Sequence, residues 1–447
     1  MRVIVIGAGE VGANLTRTLA ADGHQVTVVD TDQRLCSNLE SELDALVVHG
    51  NGASPRLLRQ VRAGEADLLA AVTQEDEVNL IAALGAKELG AKRTVARVAD
   101  ADFFGDDESY AHDVLGIDFV IDPDRATASD IAEAIRLPGA ASVEYFEDGR
   151  VGLAEVVVTE DSPLVGVPLA DRERVEPAYI VGVSHGGDAH LSSGSDRPSA
   201  GDHLLVMAAG EHLQAAASRF AGRSQEVRDL VIFGGGQIGY RLASLLEDTP
   251  VDVTLLERNE ERARFLAEHL RKAVILHDEG VSHESQDAAR VGDADAFVAC
   301  AGDDRANLLA ALNAKRLGVD LNLAVVSREE FVPLVDALGI DSSFSPRLIT
   351  AEAILKFVHT ESLLQIHFMR SGFEALELVV EASSPISGKQ IGKTGGLLSG
   401  CRVGAILRAD EVVIPHQGTE VMAGDRLLML GVNGALSEVE PAFAPRK

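Results

Sequence analysis

Gly7, Gly9 and Gly12 stand in the run Gly7-Ala8-Gly9-Glu10-Val11-Gly12, directly after the apolar residues Val3-Ile4-Val5-Ile6. Three glycines at that spacing suit a pyrophosphate. Gly7 can make a tight turn, Gly9 lets the backbone approach the phosphates, and Gly12 allows a helix to pack closely on a sheet. The helix that follows, expected over residues 13–20, turns free N–H groups and the positive end of its dipole toward an anion. Asp30 closes the next apolar run, at 26–29. A carboxylate there accepts hydrogen bonds from ribose hydroxyls, which favours NAD or NADH over a 2′-phosphorylated cofactor. Further along, Asn51 is expected at the end of a third strand, within reach of the adenine end of a ligand. Thr73 is expected to end a fourth strand, on the carboxyl edge where ligands sit. Arg97 ends a fifth, where it meets either a ligand phosphate or a surface ion pair.

The constellation is written a second time. Gly234-Gly235-Gly236-Gln237-Ile238-Gly239 follows Leu230-Val231-Ile232-Phe233, and Glu257 takes the place of Asp30. Glu279 takes the place of Asn51. Ala71-Val72-Thr73 becomes Ala299-Cys300-Ala301, and Arg97 becomes Val325. Those departures leave open whether the second site is filled, weak or empty. Catalytic equipment is missing from the sequence: there is no GxSxG elbow, no HExxH and no Walker A lysine. Cys36, Cys300 and Cys401 are odd in number and far apart, against a disulfide framework or a CxxC zinc site. His359 and His367, eight apart on an expected helix, read as structural.

These residues need a scaffold, and the repeat supplies it. Short β-rich apolar runs at 3–6, 26–29, 45–48, 68–72, 94–98 and 119–121 alternate with helical patterns. Continuous runs suit strands covered on both faces, hence a parallel sheet. Downstream, Glu155-Val156-Val157-Val158 matches Glu377-Leu378-Val379-Val380, and Ala200-Gly201-Asp202 matches Ala423-Gly424-Asp425. The expected class is α/β, with two Rossmann-like doubly wound parallel-sheet domains. They lie at 1–124 and 228–346, each followed by a small α+β domain, at 140–222 and 362–446. In the first small domain strands are expected at 155–159, 178–184 and 203–208, and a polar linker at 221–225.

Seventy acidic residues against 40 basic ones leave a formal charge of −30, which opposes binding to nucleic acid or to bare anionic lipid. No run of 18 apolar residues spans a bilayer, and the opening strand lacks a signal-peptide layout; a cytoplasmic protein is expected. Eight of the 40 basic residues are lysine, a balance that suits a salt-rich cytoplasm. Molar KCl shortens the screening length to about 3 Å, so the melting temperature should rise between dilute buffer and molar KCl. A flat or falling trend in a thermal scan would contradict that.

The paired Gly-rich units, each with an acid closing the second strand and each trailed by a small β-rich domain, resemble the TrkA family of tandem RCK (regulator of potassium conductance) proteins. His49-Gly50-Asn51-Gly52-Ala53-Ser54, Ala96-Arg97-Val98, Ile121-Asp122-Pro123 and Ser345-Pro346 add to the likeness, which covers nearly the whole chain. The resemblance implies a regulatory subunit without turnover, binding NAD or NADH and contributing to potassium ion transport. It implies a Trk-type potassium-translocating membrane partner, and a homo-oligomer, as a tetramer closing a ring of eight RCK units. Location would be cytoplasmic, peripheral on the inner face of the membrane. Crossover helices at 126–137 and 350–359 would pair the units. Some relatives carry arginine at the position of Glu10 and use it on a nucleotide triphosphate. Glu10 and Gln237 lack that charge, so ATP becomes the less favoured ligand. The competing class is an NAD-dependent oxidoreductase, which would need a positioned acid or base in a closed cleft beside residues 7–12.

Overall fold

The computed structural model describes residues 1–43, 45–100, 103, 114–137, 139–146, 149–169, 174–175, 178–185, 188–222, 227–328, 331–359, 365–368, 373–394, 400–408 and 411–432. Six parallel strands form the first sheet: β1 (Arg2–Ile6), β2 (Gln25–Asp30), β3 (Leu46–His49), β4 (Leu68–Ala71), β5 (Arg93–Arg97) and β6 (Phe119–Ile121). Their order is β3-β2-β1-β4-β5-β6. The order reverses between β1 and β4, which opens a crevice at the carboxyl ends of those two strands. Val3, Ile4 and Val5 are wholly buried, as expected for strands covered on both faces. The second sheet repeats the order with Val274–His277, Asp252–Glu257, Asp229–Phe233, Ala296–Ala299, Leu321–Val325 and Ser342–Phe344.

The elements differ from expectation at their ends. The first helix runs Glu10–Ala21, so Gly12 lies inside it rather than before it. Strand β3 stops at His49 and β4 at Ala71, so Asn51 and Thr73 lie two residues beyond, in the connecting turns. The crossover helices span Pro123–Arg136 and Pro346–His359 and start earlier than expected. Each begins on a proline whose fixed φ suits the first helical turn. The Asp122 carboxylate caps the former by accepting from the N–H groups of Asp124 and Arg125, each at 3.0 Å.

Contacts divide the chain into two compact units that group like with like: Met1–Ile131 with Asp229–Val358, and Ala132–Arg228 with His359–Lys447. In the first unit, Ala351, Ile354, Leu355 and Val358 of the helix Pro346–His359 enter the apolar cluster that holds Val11, Leu15 and Leu19.

The second unit contains two antiparallel sheets. One has Val151–Val157, Ala178–His185 and His203–Ala209 at its heart, backed by the helix Gly210–Ala221. Its first central strand begins and ends earlier than the 155–159 expected, because the apolar run reaches back to Val151. The other pairs Phe373–Val379, Cys401–Arg408 and Arg426–Val432. Phe373 lies over Gly182, where an added Cβ would come within 2.3 Å of the ring. His367 lies on the strand Gln365–Phe368, opposite Ala375. It therefore does not share a helix with His359, which ends the helix before it; a β-branched and aromatic segment, Gln-Ile-His-Phe, favours strand. Of the expected linker, Ala221 closes a helix and Gly222 caps it with φ +79°; the remainder, 223–225, lies outside the described residues. Among the described residues, no helix is long and apolar enough to cross a membrane.

Candidate nucleotide-binding site

Each glycine of the first loop has its own reason. Gly7 adopts φ +110°, a conformation that strains any other residue, with Thr73 directly opposite. A Cβ on Gly12 would lie 1.8 Å from the Gly7 carbonyl oxygen, so only glycine lets the helix cross the turn at that spacing. At Gly9 a Cβ would meet nothing within 4 Å. Its surroundings are open. Gly9 starts the helix without any side chain capping it, which leaves the first-turn N–H groups to an anion. Glu10 and the mostly buried Val11 form that first turn. The residues thus fit a dinucleotide pyrophosphate.

The Asp30 carboxylate ties β2 to this loop. It accepts from the Ala8 N–H at 2.5 Å and from the Asp32 N–H at 2.7 Å. Two acceptor positions remain on its oxygens for hydroxyl donors. Opposite, the turn after β4 is pinned by Asn79, which opens the segment Asn79-Leu80-Ile81-Ala82-Ala83-Leu84 that returns in the repeat as Asn307-Leu308-Leu309-Ala310-Ala311-Leu312. Its Oδ1 accepts from the Thr73 N–H and hydroxyl, both at 2.8 Å, and its Nδ2 donates to the carbonyls of Thr73 (3.0 Å) and Arg97 (2.8 Å). Asn79 is wholly buried. Arg97 donates to the Thr73 carbonyl at 3.1 Å and lies 3.8 Å from Asp76. Asn51 is exposed and closes its own turn by accepting from the Ala53 N–H at 2.9 Å. Gly7, Gly9, Asp30, Thr73 and Arg97 therefore converge on the switch point, with Asn51 on the neighbouring loop. Glu10 forms an ion pair with Arg347, at the start of the second crossover helix.

The second loop keeps the same skeleton. Gly234 has φ +108°, a Cβ on Gly239 would lie 2.0 Å from the Gly234 oxygen, and Gly236 is open. Gln237 and the mostly buried Ile238 start the helix Gln237–Leu246. Glu257 accepts from Gly235 N–H at 2.9 Å and Asn259 N–H at 2.7 Å, and Glu279 is exposed. Asn307 repeats the staple, joining Ala301 to the Val325 carbonyl. One addition has no counterpart in the first half. Arg262, where the first half has Leu35, donates to the carbonyls of Gly235 (2.7 Å) and Gly236 (3.2 Å) and lies over Tyr240 and Phe265. Cys300 lies beneath the loop, its thiol pushed up to about 12 by burial and by the Glu257 charge, so it is no nucleophile.

At the end of β6, burial and then the neighbouring Asp122 hold the Asp124 carboxyl above its ordinary value, against the pull of Arg241 and Arg97. A raised acid costs stability once ionised: the cost is absent below 3.8 and grows as pH rises through the folded value. Asp124→Asn should therefore raise the melting temperature at pH 7, with a gain that shrinks as pH falls toward 3.8.

Two Rossmann-type units with paired Gly-rich loops, each followed in sequence by a small antiparallel domain, define a tandemly repeated α/β protein. TrkA-N domain models match residues 3–123 and 230–346, and TrkA-C domain models match 153–221 and 375–444. The Trk system potassium uptake protein TrkA of Halomonas elongata is 33% identical, across 99% of this chain and 98% of its own. The protein of the same name from Azorhizobium caulinodans is 31% identical with the same coverage. The chain belongs to the TrkA family. Among solved structures, the GsuK RCK domain superposes with a TM-score of 0.64 at 21% identity, over 100% of this chain and 95% of its own. The GsuK channel bound to NAD gives 0.64 at 21%, over 100% and 79%.

Proposed function

We propose that this chain is a regulatory subunit of a potassium-uptake system, one that binds NAD or NADH at the first Gly-rich site and gates a Trk-type potassium-translocating membrane protein. The observation that carries the reading is whole-length kinship with proteins named for Trk potassium uptake, in a chain whose first loop leaves Gly9 open beside the Asp30 carboxylate. The NAD-bound GsuK channel, alike in fold, lends support to the choice of ligand. NAD or NADH is the first choice, with adenine nucleotides second. The role is read as regulatory rather than catalytic on the names of the whole-length relatives, which are those of potassium-uptake proteins.

Glu10 lies one residue past Gly9, and its partner Arg347 belongs to the other Rossmann half. Charge arriving at the loop therefore bears on a contact between the halves. Four chains would supply eight Rossmann units, enough to close a ring on the inner face of the membrane. A tenfold ligand preference for one arrangement at each of four sites would total about 5.5 kcal/mol, enough to turn a 1:99 equilibrium into 99:1. Deletion of the gene in its host should impair potassium uptake at limiting external potassium. Unimpaired uptake, with no second copy present, would reject the transport role. Steady NADH consumption with a small carbonyl substrate, abolished by one substitution, would select the oxidoreductase instead.

A further inference from the structure

We infer that the charged residues where the two Rossmann halves meet form a pairing code: a first half accepts a second half as its partner and rejects another first half. The contact has two related sides. On one, Arg347 of the helix Pro346–His359 pairs with Glu10. Further along that helix, Arg93 donates to the carbonyls of Phe357 (2.9 Å) and Val358 (3.2 Å). Its guanidinium lies over the Phe357 ring, which stacks on Phe119 with centroids 5.0 Å apart. On the other side, Arg241 of the helix Gln237–Leu246 pairs with Asp122 at 2.5 Å, with side chains only 17% and 20% exposed.

The repeat shows what a wrong pairing would bring together. The Gly-rich loops align Glu10 with Gln237 and Asn14 with Arg241. The matching Ile121-Asp122-Pro123-Asp124 and Phe344-Ser345-Pro346-Arg347 align Asp122 with Ser345 and Asp124 with Arg347, and carry Phe357 onto Ala134. In a symmetric pair of first halves, Glu10 would face Asp124 of the other copy, twice over. Asn14 would replace Arg241 against Asp122, and Arg93 would find Ala134 in place of an aromatic ring. In a pair of second halves, Arg347 would face Gln237 and Arg241 would face Ser345, leaving two partly buried arginines without acids. Both like pairings lose both ion pairs, and the first adds acid against acid. Of the three pairings, only the mixed one keeps both ion pairs, apart from the cost borne by Asp124. A group that weakens the correct contact while repelling a wrong one is how partners are discriminated. An exposed ion pair would be worth little, but truncating one partner of a pair this sheltered leaves a charge uncompensated.

The reading does not rest on the proposed ligand. The test uses the full-length chain with a photoreactive benzoylphenylalanine in place of Phe357, an exchange of one aromatic for another. Irradiation and peptide mass spectrometry should find it joined to the Arg93 and Phe119 segments. Arg241→Asp should lower that yield about tenfold, the ratio that ~1.4 kcal/mol of pairing energy gives. Asp122→Arg with Arg241→Asp, which exchanges the two charges, should restore most of it and shows that the loss is not misfolding. Cross-links to the segments around Leu321 and Ser342, the counterparts of Arg93 and Phe119, would overturn the inference. So would a yield indifferent to Arg241→Asp, or one that the exchanged pair fails to restore.

Discussion

Gly9→Val should abolish NAD and NADH binding and leave the fold nearly intact, whereas Gly12→Val should unfold the first Rossmann half. The two glycines are three residues apart in one loop, yet they meet opposite surroundings. Gly9 has φ −65° and ψ −173°, a backbone any residue adopts, and open space where its side chain would project. Valine there occupies the approach to the uncapped helix terminus. It costs only about 1 kcal/mol, as a poorer residue than glycine to begin a helix. Binding should fall by more than about 100-fold, or ~2.7 kcal/mol. A side chain on Gly12 instead meets the Gly7 oxygen at 1.8 Å. Backbone must move to admit it, at a cost of about 3 kcal/mol or more. Calorimetric titration beside thermal denaturation separates the cases. Unchanged affinity in Gly9→Val would remove the ligand from this loop, whatever the stability of the protein.

The same loop shows how far residue types alone can be read. Spacing exposed Gly7, Gly9 and Gly12 because each enforces a local geometry, and Asp30 because an acid at that strand end is unusual without a task. The sheet was legible from its continuous apolar runs. Less legible were the places where strands stop. Asn51 and Thr73 lie beyond β3 and β4 because the last ladder partners are His49 with Asp30 and Ala71 with Ile6 or Ala96, and pairing is not written in one strand's sequence. Arg347 with Glu10 and Arg241 with Asp122 were out of reach for a stronger reason. Each joins residues more than a hundred positions apart, with no pattern linking the two ends. Arg262 was visible only as a departure from Leu35, and its hold on the Gly235 carbonyl depends on a loop shape. Asn79 is the instructive omission: its return as Asn307 was plain in the repeat, but helix propensity assigns no duty to a helical asparagine.

That duty predicts a large loss. Asn79→Ala should destabilise the first Rossmann half by about 3 kcal/mol, since it strands buried backbone groups rather than only removing bonds. The Thr73 N–H and hydroxyl would lose their shared acceptor, and the Thr73 and Arg97 carbonyls their donor. Arg97 still reaches the Thr73 carbonyl, and the Thr73 hydroxyl still reaches the Glu75 carbonyl at 3.2 Å, so two of the four groups keep a partner and the loss stays below complete unfolding. Because Thr73 packs against Gly7, loosening the turn also disturbs the loop, and nucleotide affinity should fall with stability. Asn307→Ala provides the comparison. It breaks the matching staple on Ala301 and Val325 and should cost a similar amount in denaturant unfolding. Affinity at the first site should stay unchanged, because no residue of that site touches Asn307. Equal losses of affinity in the two variants would mean that the asparagines act through general stability. A loss confined to Asn79→Ala places the staple in the service of the first site.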